Sequence, residues 1–146
     1  MQIEIKIVES CAEPRIIIVT NGVTDEVQEI IRRLSDERPT AIAGFKDGRV
    51  EILEPGEIYR VYAAKGKTVA ETGRGDYIMR LRLYEAEQRL DSRAFVRISN
   101  GEMINLKKVK GFDLSFTGTI CVALSNGTVT YVSRRYVAKI KQVLGI

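Results

Sequence analysis

The sequence predicts an α+β fold, mainly β: a body of antiparallel sheet with peripheral helices, preceded by a strand-strand-helix unit. Three observations carry this. Beyond Pro39 the chain reads as short apolar segments separated by glycine-containing turns, the spacing of antiparallel strands. Near the C-terminus Asn126-Gly127 sits between two alternating apolar runs, a strong local hairpin signal. Residues 24–34 and 133–144 instead place apolar side chains at helical spacing.

Ile3, Ile5 and Ile7 alternate with Gln2, Glu4 and Lys6, the period of a strand with one buried face. Residues 16–19, Ile-Ile-Ile-Val, read as a second strand, and Asn21-Gly22 as a turn. Val27, Ile30, Ile31 and Leu34 then fall on one helical stripe. Thr24 suits the N-cap, Asp25 and Glu26 the first turn, Arg32 and Arg33 the last, and Pro39 closes the helix. This unit, residues 1–40, is at the lower size limit for independent folding, so it is expected to pack on the rest of the chain or on a second copy.

The second region, residues 41–146, opens with a hairpin, residues 41–45 and 50–53 around Asp47-Gly48. Pro55-Gly56 marks a further turn. Strands follow over 58–63, 68–72 and 77–81, separated by Lys65-Gly66-Lys67 and Gly73-Arg74-Gly75-Asp76. Leu83, Ala86 and Leu90 suggest a short helix, and residues 95–98 and 109–116 two more strands. In the last hairpin Ile120, Val122 and Leu124 lead into Asn126-Gly127, suited to a type I′ turn, and Val129 and Tyr131 lead out. Ser133 has the chemistry of an N-cap, Val137, Ile140 and Leu144 form a buried stripe, and Gly145 ends the helix.

Composition excludes much chemistry. The 146 residues contain no histidine, which removes imidazole general bases, imidazole-ligated zinc and histidine proton shuttles. Cys11 and Cys121 form no CxxC pattern and are expected to be reduced and apolar in role. Gly73-Arg74-Gly75-Asp76 lacks the Lys-Ser/Thr ending of a P-loop, and no paired-carboxylate arrangement stands out. No enzyme, metal site or nucleotide cofactor is expected. The first nine residues do not follow a signal-peptide pattern, and no apolar run approaches the roughly 20 residues of a membrane span, so a cytoplasmic protein is expected.

Charge divides the chain. Residues 1–44 carry five basic and eight acidic side chains, a net of −3, whereas residues 45–146 carry eighteen and eleven, a net of +7. Such a basic portion is either a surface for a polyanion or an ordinary solvated face. Arg134 and Arg135 bear on the choice. They open the last helix, where the macrodipole disfavours cations by about 0.3–1 kcal/mol each, so local stability does not account for them. Either they pair with surface carboxylates, or they stand beside free backbone N–H groups as a site for phosphate and base edges, with the Ser133 hydroxyl accepting in the cap or donating to a phosphate. Lys65 and Lys67 flank a glycine in one turn, and Lys107, Lys108 and Lys110 follow Asn105. In a strand Lys107 and Lys108 would point to opposite faces, so at most one joins any patch.

Two segments together resemble a known family. FVRISNGEMINLKKVKGF, residues 95–112, resembles the stretch F-x-R-I-H-R-S-x-x-V-N-L-x-x-I of LytTR-type DNA-binding domains. VSRRYVAKIKQVLG, residues 132–145, is similar to their closing V-S-R-R-Y-x-x-x-L-x-x-x-L-G. Residues 83–90 look like the family's L-x-x-x-E-x-x-L helix, with Glu87 at its acidic position. The resemblance covers about residues 45–146, which hold eighteen of the 23 basic side chains. It implies an elongated body of antiparallel sheets that places loops, not a helix, into successive major grooves and bends the DNA.

Carried over by motif, Asn100 and Arg135 match the family's base-reading positions, and Ser133 and Arg134 lie at adjacent DNA-contacting ones. A third contact aligns loosely near Lys65 and Lys67. Ser99 and Lys139 complete the expected DNA-contacting set. The family's His-Arg or His-Lys pair is Ser99-Asn100 here, and the next serine is Gly101. Asn-Gly is also an ordinary turn signal, so base reading and turn geometry are both open to Asn100.

The expectation is therefore a bacterial transcription regulator, an output domain like those of response regulators but with no receiver. It is expected to bind paired half-sites of double-stranded DNA as a homodimer. The resemblance also implies association with a small membrane protein. The rival readings are a protein-interaction module and a ligand-sensing module, each with the same body and without specific DNA binding.

Overall fold

The computed structural model describes residues 1–34 and 41–146. The chain forms two compact units, Met1–Arg38 and Pro39–Ile146. In the first, helix α1 spans Asp25–Leu34. Thr24 Oγ1 accepts the Val27 N–H at 3.3 Å, the capping bond expected of it. Glu29 pairs with both Arg32 and Arg33 along the exposed side. Of the apolar stripe, Val27 is buried and Ile30 half-buried, while Ile31 and Leu34 are exposed. Pro39, expected to close the helix, lies outside the described residues.

The two strands expected before α1 are not formed: residues 3–7 and 16–19 have no regular secondary structure, and all of them but Ile18 are exposed. Alternation marks a segment able to bury one face, but a strand also requires a neighbour for its backbone N–H and C=O groups. Neither segment has one here. The turn at Asn21-Gly22 is present, with the Thr20 hydroxyl donating to the Gly22 carbonyl at 2.9 Å.

The second unit is mainly β, with antiparallel pairing throughout. Strands β1 (Ile42–Lys46), β2 (Arg49–Leu53), β3 (Ile58–Ala64), β4 (Lys67–Thr72), β5 (Gly75–Met79), β6 (Phe95–Ser99) and β7 (Glu102–Asn105) make one sheet in the order β2-β1-β5-β4-β3-β7-β6. Strands β8 (Val109–Asp113), β9 (Ile120–Leu124) and β10 (Val129–Val132) make a second in the order β10-β9-β8. Helix α2 (Leu83–Arg89) links β5 to β6, and α3 (Arg134–Leu144) follows β10.

Strand β7 had no expectation behind it: four residues after a turn are too few to display a period. Lys107 and Lys108, read as strand residues, instead lie on a 3-10 turn, Leu106–Lys108. Buried Asn105 organises that turn, accepting the Lys107 N–H at 3.0 Å and donating to the Ile58 carbonyl at 2.9 Å. The β9–β10 connection also differs from a type I′ turn. Gly127 is left-handed at φ +93° but Asn126 is not. The Gly127 N–H returns to the Leu124 carbonyl and the Leu124 N–H bonds to Thr128, as in a type I turn closed by a glycine bulge.

Side-chain alternation along β6 and β7 makes them a wall between two cores. Phe95 and Met103 face α2 and the larger sheet's interior. Val96, Ile98 and Ile104 face the smaller sheet and Ile140 of α3. An ion cluster joins the sheets: Arg60 on β3 pairs with Glu71 on β4 at 3.2 Å and Glu102 on β7 at 2.9 Å. Glu71 also accepts from Asn126 and Thr128, and Glu102 from Thr130, all from the β9–β10 hairpin. Burial pushes the Glu71 carboxyl up, but hydrogen bonds from Asn126 and Thr128 and the Arg60 charge outweigh it and hold it below 4.5. No helix among the described residues is long and apolar enough to cross a membrane.

Candidate nucleic-acid interface

The sheet topology brings the turn after β6 and the start of α3 to one place. Ser133 sits at the N-cap of α3 in extended backbone, as its sequence position suggests, but its side chain makes no capping bond. Its N–H instead donates to the Ile98 carbonyl at 2.8 Å, fixing the helix start against β6. One turn later the Tyr136 hydroxyl donates to Asn100 Oδ1 at 2.9 Å. Two hydrogen bonds, one backbone and one side chain, thus hold Asn100 beside the arginine pair.

The β6–β7 turn has its own supports. Arg97 Nη1 donates to the Asn100 carbonyl at 2.7 Å, and Arg97 Nε to Glu87 Oε2 at 2.9 Å. The acidic position of α2 therefore anchors the arginine that anchors the turn. Ser99 Oγ accepts the Gly101 N–H at 3.3 Å, so the Ser99 oxygen serves the turn. Neither Asn100 nor Gly101 has a positive φ, so this turn makes no demand for the Asn-Gly pair on backbone grounds. Asn100 is exposed, and its Nδ2 remains available once Oδ1 has bonded Tyr136.

The Ala63 N–H donates to the Gly101 carbonyl at 2.8 Å, which sets the end of β3 beside the Asn100 turn. The β3–β4 turn lies two residues on, with Lys65 at φ +52° and Gly66 at φ +76°. These values define a type I′ turn and explain the glycine there. Lys65 and Lys67 are exposed at that same end of the sheet. On α3, Arg135 and Lys139 are four apart and exposed, whereas Tyr136, Val137 and Ile140 turn towards the core. The Arg134 guanidinium lies against Gly118 in the β8–β9 loop, where an added Cβ would stand 3.1 Å from Nε.

Among the described residues, Lys65, Lys67, Arg134, Arg135 and Lys139 form no ion pair, side-chain hydrogen bond or ring contact. Neither arginine pairs with a surface carboxylate among the described residues. Other cations of the same unit are engaged: Arg60 with Glu71 and Glu102, Arg74 with Glu51 and Glu57, Arg97 with Glu87. Of the Lys107–Lys110 cluster, Lys108 covers the Tyr59 ring at 5.0 Å. Sequence reasoning missed Tyr136, Arg97 and Gly118 as members of the region. Tyr136 was visible only as a motif letter, and no spacing signals the Arg97–Glu87 pair.

The region is exposed, cationic and built of three short connections around an asparagine and an arginine. Among the described residues no group of acidic or sulfur side chains is placed to hold a metal ion. The LytTr DNA-binding domain model matches residues 48–145. The chain is 31% identical over 123 residues to a protein named as an uncharacterized HTH-type transcriptional regulator of Staphylococcus aureus NCTC 8325, covering 84% of this chain and 83% of that one. The corresponding protein of strain MRSA252 is 30% identical with the same coverage. The three helices here are separated by strands, so no helix-turn-helix pair occurs among the described residues. The LytTr DNA-binding domain of a Bacillus cereus protein superposes with a TM-score of 0.71 at 17% identity, covering 75% of this chain and all of that one. The chain belongs to the LytTR family of DNA-binding regulators.

Proposed function

We propose that residues 41–146 read double-stranded DNA sequence-specifically by placing loops in the major groove, and that the protein regulates transcription as a homodimer on paired half-sites, without a catalytic step. The observation that carries this reading is the pair of bonds Ser133–Ile98 and Tyr136–Asn100, which hold two groups able to read base edges at one exposed edge of cations that are unpaired among the described residues. Arg135 donates to guanine O6 and N7, the bidentate match of a guanidinium fork. Asn100 offers Nδ2 to a base acceptor while Tyr136 occupies one lone pair of Oδ1. Arg134, Lys139, Lys65 and Lys67 neutralise phosphates, and Ser133 and Ser99 donate hydroxyls to the backbone.

The test is selection of bound duplexes from a random pool, followed by salt titration on the selected site. Two half-sites in fixed spacing are expected, with log K falling against log salt by about 0.9 per phosphate contacted. A single site without spacing preference would overturn the homodimer. Weak binding indifferent to sequence would overturn base reading and leave the interaction-module reading standing.

A further inference from the structure

The first unit exposes apolar side chains in an ordered pattern. Ile3, Ile5 and Ile7 are 83–89% exposed, and Ile16, Ile17 and Val19 are 70% or more. Scattered surface apolar residues are ordinary, but three isoleucines alternating with charged residues are the pattern of a strand whose partner is another chain or segment.

The charges indicate the partner. When residues 2–8 pair antiparallel with the same segment of a second copy about Ile5, Ile5 faces Ile5, Ile3 faces Ile7, Glu4 faces Lys6 and Gln2 faces Val8. All isoleucines fall on one face, and each Glu meets a Lys across the ladder, twice by symmetry. Shifting the centre to Glu4 or Lys6 sets like charges opposite each other. Centring between residues places isoleucine opposite a charge, and a parallel in-register pair stacks Glu4 on Glu4. Centring on Ile3 or Ile7 leaves Glu4 and Lys6 without an opposite charge, so among the symmetric antiparallel registers the one about Ile5 satisfies both the apolar face and the charges.

We infer that residues 2–8 form an antiparallel ladder with their counterpart in a second copy of this chain, making the Met1–Arg38 unit the dimerisation element. The inference gives the homodimer of the proposed function a location, and it is tested without DNA, so the two can fail separately.

The experiment is sedimentation velocity of the full chain over a range of concentrations. Glu4→Lys alone and Lys6→Glu alone each turn two attractive cross-strand pairs into repulsive ones and are expected to weaken dimerisation about tenfold or more. The combined Glu4→Lys/Lys6→Glu chain restores the dimer, and an equimolar mixture of the two single variants forms a heterodimer. Because these changes leave the isoleucines intact, loss of folding is separable by circular dichroism. In a Cys11→Ser background, Ile5→Cys is expected to cross-link into dimers with oxidised glutathione. Gln2→Cys is not, since its two copies would lie six residue steps, about 20 Å, apart. Single charge variants that dimerise like the parent, a parent monomeric throughout, or equal cross-linking at positions 2 and 5 would each overturn the inference. Loss of DNA binding in a dimeric Arg135→Ala protein would leave it intact.

Discussion

Two sets of cations in the second unit have opposite settings. Arg60 is largely buried between Glu71 and Glu102, and Arg97 between Glu87 and the Asn100 turn. Arg134, Arg135, Lys65, Lys67 and Lys139 have no such partner among the described residues. Three of the second set are also locally unfavourable. Arg134 and Arg135 stand at the positive end of α3, and Lys65 occupies a left-handed backbone position better suited to Asn or Gly. The first set holds the sheets and turns together; the second is positioned by them at a cost to local stability, in keeping with the DNA contacts proposed for it.

The largest expected effect tests the buried set. Arg60→Ala leaves two partly buried carboxylates facing each other and should lower unfolding free energy by about 3 kcal/mol, read from the urea midpoint. Arg135→Ala should raise that midpoint slightly, by the roughly 0.3–1 kcal/mol that the helix dipole costs, while costing about 1–3 kcal/mol in binding and relaxing preference at one base position. Equal losses of stability from the two would erase the distinction between the sets. Tyr136→Phe removes one hydrogen bond and should cost about 1 kcal/mol of discrimination at the base position proposed for Asn100, with phosphate-dependent affinity retained.

A smaller effect has two signs. Lys65→Asn should raise stability by about 0.5–1 kcal/mol, because asparagine tolerates the left-handed conformation, and should reduce the salt slope by about 0.9. A lowered melting temperature would mean that the turn is not strained. The mildest test is pH. The Glu71 carboxyl is lowered on folding, so its contribution is present above 4.5 and is lost as pH falls through its lower folded value. Glu71→Gln should flatten the acid limb of stability while leaving the neutral-to-alkaline limb unchanged.

Most of the second unit was legible because its signals are local. Asp47-Gly48 and Lys65-Gly66 adopt the left-handed pairs their glycines announce, and Gly145 caps α3 at φ +73°. The motif around Arg135 was equally plain, and of the expected buried stripe Val137, Ile140 and Leu144 the first two pack on the core while Leu144, in the last turn of the helix, is exposed. Other features depend on neighbours distant in the chain. Asn126 escaped its expected turn because the hairpin bulges at Gly127 while its amide reaches Glu71. The link from Asn100 to Tyr136 spans 36 residues, and the Arg97–Glu87 pair joins a strand to a helix. Residues 3–7 and 16–19 form no strand within the single chain, since periodicity records which face a segment can bury and not whether the same chain covers it.

The order of most elements after Pro39, the turn positions, the family and the division of charge are thus written in the chain, since each follows from backbone preference or side-chain type within a few residues. Which cations are engaged and which stand open was settled by folding, as was the joining of Asn100 to the arginine helix. Ion pairs and hydrogen bonds require groups within a few ångströms, and that proximity is created when β6, β7 and α3 pack together.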